Sequence, residues 1–226
     1  MVAETKDSTD WATYGIRMEP PEQTYKQTRT DIQQQRSLLR SAYRNKTVGL
    51  DSISVVFTEV LINRIIPYWY GTPWSFEGHT AVPGAGQIAC GYFVSTTLEH
   101  AGLKVNRYKL AQQAPETEAR TVAMGDSVTV FRGGWVSDAL PMIQNSLNDG
   151  LYFIGLSSSH VGFLLKRRGR LFFLHSNYTY PAEVRIELAN GTSVLNSFTM
   201  FYIAPISSNK KLAEAWLYGQ EVPVRQ

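Results

Sequence analysis

Cysteine is nearly absent: the 226 residues contain one, Cys90. A single thiol closes no internal disulfide, so the fold does not depend on oxidation. Long apolar runs are missing as well, and none reaches the roughly 20 residues a membrane-spanning helix needs. The first residues, MVAETKDSTDW, carry no apolar signal-peptide core. The expected location is therefore periplasmic or extracellular if a signal peptide has been removed, and cytoplasmic otherwise. Strong charge of either sign is also lacking. A formal net charge of +3 is too weak to argue for nucleic acid, yet it suits work beside an anionic polymer. No internal repeat and no low-complexity tract interrupts the chain.

What is present is ordinary globular composition, 43% hydrophobic and 18% charged, enough to bury a full core without staples. The order along the chain is helices first and strands second, the pattern of an α+β fold with a helical N-terminal part packed on an antiparallel β-sheet. Residues 1–24 read as a loose polar arm. A helical stripe follows over 24–44, marked by Ile32, Leu38, Leu39, Ala42 and Tyr43. Asp51 or Ser52 is the expected cap of a second, largely buried helix over 53–66, ending before Pro67. Its β-branched residues make a strand the rival for part of it. These stretches define an N-terminal arm and helical extension, 1–66, ahead of a main domain, 67–226.

A long loop, 68–87, is dense in Gly, Pro and aromatics. Loops of that length are commonly functional when they are not disordered, and the aromatics argue against disorder. A third helix is expected over 88–101, stopped by Gly102. Residues 110–121 fit a helix or a loop, and 138–148 a short helix. Strands are expected over 151–156, 160–165, 170–176, 184–188 and 198–203, with a terminal helix over 209–218. The basic run Lys166-Arg167-Arg168-Gly169-Arg170 reads as a solvated hairpin tip.

Alone, a lone thiol is most simply a small buried hydrophobe. Context changes that. Cys90 falls at a helix start, where partial positive charge and unpaired N–H groups favour thiolate over thiol and offer donors for an oxyanion. Gly91 beside it permits another backbone, such as a substrate's, to come close. A nucleophilic cysteine needs a base, and His160, opening a strand after Ser157-Ser158-Ser159, is the candidate. His175 on the next strand would orient it, with Asn177 on the same face as the substitute. His79 reads as a loop residue and His100 as a helix-surface residue. No metal is expected, since the spacing of Cys90, His160 and His175 matches no zinc motif.

These residues resemble a known family. Tyr70-Gly71-Thr72-Pro73-Trp74, then Gly78, then Ile88-Ala89-Cys90-Gly91-Tyr92-Phe93-Val94-Ser95, then Ala101-Gly102-Leu103, is similar to the nucleophile region of the NlpC-type cell-wall peptidases. His160-Val161-Gly162-Phe163-Leu164 resembles the family's strand with the base, and Phe173-Leu174-His175-Ser176 its next strand. The likeness spans about 70–176. It departs from the family's Asp-Cys-Ser core at Ala89 and Gly91, and the insert over 104–149 is long.

The resemblance implies a papain-like fold with the catalytic cysteine at the start of the core helix, and no cofactor. It implies hydrolysis of an amide bond in a peptidoglycan stem peptide, with Tyr70 positioned over the thiolate. Two rivals stand beside it: a papain-like acyltransferase or deamidase with the same triad, and an inactive binding module of the same fold. No nucleic-acid or integral-membrane partner is expected, and no inhibitor or protein partner is specified.

Overall fold

A six-stranded antiparallel sheet, in the order β1-β6-β2-β3-β4-β5, forms the centre of the computed structural model, which describes residues 9–133, 136–157 and 159–225. The strands are β1 (Thr129–Arg132), β2 (Gly150–Leu156), β3 (His160–Arg167), β4 (Arg170–Ser176), β5 (Val184–Leu188) and β6 (Met200–Pro205). The α+β layout is as expected, with helices against both faces. Period-two alternation sorts the side chains. Phe153, Val161, Phe163, Leu165, Phe172 and Leu174 enter the main core. Ile154, Leu164, Phe173 and Ile203 meet Ala139 and Ile143 of α6 (Val136–Ser146) on the opposite face. β1 was not among the expected elements; it is a four-residue edge strand paired only with β6, too short to stand out by periodicity.

Thr24 caps α1 (Tyr25–Arg44) by accepting the Gln27 N–H. The buried stripe runs through Thr28, Ile32 and Arg36 rather than through Leu38, which is 73% exposed. Arg36 donates from Nε to the Trp216 carbonyl at 2.8 Å, and Arg40 to the Leu217 carbonyl. Both carbonyls end α7 (Lys210–Tyr218), so cations on α1 satisfy its unpaired C-terminal acceptors.

The second helix, α2 (Leu50–Glu59), starts earlier than expected. Gly49 is its cap and Asp51 lies in its first turn. Its end winds into a π-helical stretch, Val60–Ile65, and a 3-10 turn, Ile66–Trp69. Pro67 has no N–H to give, which breaks the regular ladder there. No part of this segment is a strand.

Residues 9–24 are docked rather than loose: the Trp11 and Tyr14 rings sit 5.6 and 4.9 Å from the Phe172 ring. The part of the arm over 1–8 lies outside the described residues. Ile53, Phe57, Leu61 and Ile65 share one core with Phe93, Phe163 and Trp216. The basic hairpin turns at Arg168 and Gly169, both at positive φ, but it is only partly solvated. Lys166 caps α6 through the Gln144 and Leu147 carbonyls, and Arg167 pairs with Glu59. Among the described residues, no helix is long and apolar enough to cross a membrane.

Candidate active site

Cys90 opens α3 (Cys90–His100), the helix packed against β3 with Phe93 on Phe163. The loop before it is a shaped lead-in. Ile88 donates to the Pro73 carbonyl and Ala89 to the Gly78 carbonyl, while Ser176 Oγ donates to the Ile88 carbonyl. Gly78 is required here, because a Cβ would lie 2.6 Å from the Gln87 carbonyl carbon. Arg107 holds the same loop through the His79 and Thr80 carbonyls. Ala89, one of the two departures from the NlpC-type pattern, occupies the N-cap and makes no side-chain cap bond.

A cleft of about 430 Å³ brings Cys90 and His160 together. Its other walls are Trp74, Phe76, Tyr92 and Tyr178, the segment 111–113, and Pro115 and Glu118. The last two belong to α5 (Pro115–Ala123), which follows α4 (Arg107–Ala111). Close packing seats this insert. The Ala111 carbonyl comes within 2.7 Å of where a Gly91 Cβ would be, and Pro115 within 2.8 Å of a Gly155 Cβ. Gly91 lines the cleft, but the backbone it admits is the chain's own.

His160 Nε2 lies 2.9 Å from His175 Nδ1, and His175 Nε2 lies 3.0 Å from Glu187 Oε1. This line fixes the tautomers. A carboxylate only accepts, so His175 donates from Nε2 and accepts at Nδ1. His160 therefore donates from Nε2, and its Nδ1 carries the ring's lone pair. Burial lowers the pKa of both imidazoles, for His160 well below the ordinary value, so both are neutral. Desolvation is the largest single influence on Glu187 and pushes its pKa up, but the His175 bond and charge, the Thr192 hydroxyl and Arg185 together outweigh it and hold the carboxyl below its usual range.

Asn177 does not take the third position. Its amide donates to the Thr179 and Pro181 carbonyls and its oxygen accepts from Thr179, building the turn after β4. Tyr70 is not among the cleft-lining residues; burial raises its pKa, and its hydroxyl has no hydrogen-bond partner among the described residues. Tyr178 covers His160 instead, with ring centroids 5.2 Å apart. His79 is a loop residue as read, its Nδ1 against the Glu77 carbonyl. His100 is not a surface residue: it is 4% exposed, with Nδ1 bonded to Tyr25 Oη.

The expected low cysteine pKa is corrected. Burial pushes the Cys90 thiol up to about 11, with the Glu118 carboxylate adding to the rise. The N–H groups of Val161, Gly91 and Cys90 pull the other way and do not prevail. The resting pair is thus neutral thiol and neutral imidazole. Two carboxyl groups escaped the sequence reading. Glu187 shares the sheet face of His175, but strand register is not readable from one chain. Glu118 lies within the stretch 110–121 that fits a helix or a loop and shows no sequence signal of burial, whereas it is 2% exposed.

Among the described residues, no cluster of His, Cys, Asp and Glu suited to a metal ion is present. Scanned against protein-family models, the chain matches none, and no curated protein matches it.

Proposed function

We propose that this chain is a papain-like cysteine hydrolase, and that Cys90, His160 and His175 carry its chemistry. One observation carries the reading: the hydrogen-bonded line Glu187–His175–His160 leaves the His160 lone pair on Nδ1, and His160 lines the same cleft as the chain's single thiol.

Because the resting pair is neutral, attack and deprotonation are coupled. His160 Nδ1 takes the proton as Cys90 Sγ bonds to the amide carbon. The first N–H groups of α3, which have no intrahelical partner, would stabilise an oxyanion formed beside Cys90. The imidazolium then gives its proton to the departing amine as the C–N bond breaks, leaving a thioester. Water adds with His160 again as base, the C–S bond breaks, and acid and thiol are restored. Glu187, through His175, offsets the transient positive charge on His160.

The substrate class, an amide bond in a peptidoglycan stem peptide, rests on the likeness of 70–176 to the NlpC-type peptidases. The exposed rim aromatic Phe76 and the walls Trp74 and Tyr178 give the cleft surfaces for a peptide. Purified peptidoglycan digested with the protein and analysed by mass spectrometry should yield new peptide termini. Cys90→Ala and His160→Ala should each lower the yield by about a thousandfold or more. Undiminished digestion by Cys90→Ala overturns the proposal. A product joined to an added amine, in place of hydrolysis, would favour the acyltransferase reading instead.

A further inference from the structure

Glu118 is not used by the mechanism above. It reaches the cleft from the first turn of α5, is 2% exposed, and its Oε2 has no hydrogen-bond partner among the described residues. An unpartnered buried carboxyl is costly, on the order of 1–3 kcal/mol or more, so it persists where something else gains from it. Its placement is deliberate in the packing, since glycines at 91 and 155 admit the segment that carries it.

A second observation concerns charge. The described residues lining the cleft include two acids, Glu77 and Glu118, and no lysine or arginine, although the chain as a whole has a net charge of +3. Four aromatic side chains, Trp74, Phe76, Tyr92 and Tyr178, also line the cleft, and aromatic rings attract cations over their faces. Of the groups that could meet Glu118, a cation is the one that both bonds to its unpartnered oxygen and offsets its charge on ionisation.

We infer that Glu118 is the floor of a subsite that recognises a primary ammonium group on the substrate, close to the carbonyl that Cys90 attacks. This rests on the cysteine-hydrolase reading. The ammonium donates to the unpartnered carboxyl oxygen, and the carboxyl proton leaves to solvent as the ion pair forms.

Cys90 is the only thiol, so its modification reports on this cleft alone. The probes are 2-aminoethyl methanethiosulfonate, a cation, and methyl methanethiosulfonate, its neutral counterpart. The ratio of their second-order rates is taken relative to the same ratio on N-acetylcysteine amide. In the wild-type protein the relative ratio should exceed unity by about tenfold. It should fall to near unity in Glu118→Gln and be unchanged in Glu116→Gln, whose exposed carboxyl pairs with Arg120 on the same helix. A wild-type ratio at unity, or a raised ratio that survives Glu118→Gln, overturns the inference.

Should Glu118→Gln fail to fold, the wild-type protein decides. n-Butylammonium should slow modification by the neutral reagent at concentrations where n-butanol does not, and equal effects count against the subsite. Peptidoglycan digestion is scored separately. Cation preference without digestion sinks the hydrolase reading alone, and digestion without cation preference sinks the subsite alone.

Discussion

Cys90 sits where two effects oppose each other. The start of α3 offers N–H donors that favour thiolate, while the surrounding packing removes water and favours thiol; burial wins. In the proposed mechanism His160 must then act during attack, which makes its tautomer decisive, and Glu187 sets that tautomer from two side chains away. Glu187→Gln should lower kcat by about 10- to 100-fold with KM little changed, because an amide can also donate and no longer fixes the direction of the line. Steady-state kinetics on peptidoglycan fragments checks this; an unchanged kcat would remove Glu187 from the site. Glu118 gives a pH prediction. Its folded pKa is raised well above the unfolded value by burial, so it costs stability increasingly as pH rises above the unfolded value of about 4.3. Glu118→Gln does not titrate, so its gain in Tm over the wild type should be larger at pH 8 than at pH 5. A gap independent of pH between those values would contradict a buried, protonated Glu118.

At the scale of elements, the site is a product of close approaches. Gly162 lies between His160 and Leu164 on β3, and a Cβ there would meet Phe173 Cε2 at 2.7 Å, the Leu174 carbonyl at 2.8 Å and His175 Cβ at 3.0 Å. The His175 ring stacks on Phe173 with centroids 4.0 Å apart, so an added methyl displaces the orienting histidine. Gly162→Ala should cost about 1–3 kcal/mol of stability and a larger share of activity than that loss explains. Thermal denaturation alongside turnover separates the two, and a stable, fully active variant would show that the strand tolerates the methyl. Most elements were legible because their periodicities are strong. Val161, Phe163 and Leu165 alternate cleanly, and Thr24 and Asn209 announce the helices they cap. Illegible features depend on partners distant in sequence. The π-helical stretch after Glu59 arises in a β-branched run ending at Pro67, and α4 and α5 are short helices whose docking relies on Gly91 and Gly155. His175 and Asn177 share a strand face, and only the turn that consumes the Asn177 amide separates their roles.

Across the whole molecule, the cleft is assembled from segments that no single stretch of chain contains. The loop before α3 supplies Trp74 and Phe76, α3 the thiol, the inserted α5 the buried acid, β3 the base, and the turn after β4 the Tyr178 cover. One core runs beneath them from Ile32 and Phe57 to Trp216. Cys90 and His160 thereby meet in one cleft, with His175 behind His160, and the proposed chemistry requires a specific intermediate, an acyl group on Cys90 Sγ. The most direct measurement is intact-protein mass spectrometry of the wild-type protein quenched in acid during turnover of peptidoglycan fragments, followed by peptide mapping. The expected result is a mass increase equal to the acyl part of the cleaved fragment, located on the peptide containing Cys90, released by hydroxylamine and absent from Cys90→Ala. Continued product formation by Cys90→Ala, with no adduct on the wild-type cysteine, would contradict it.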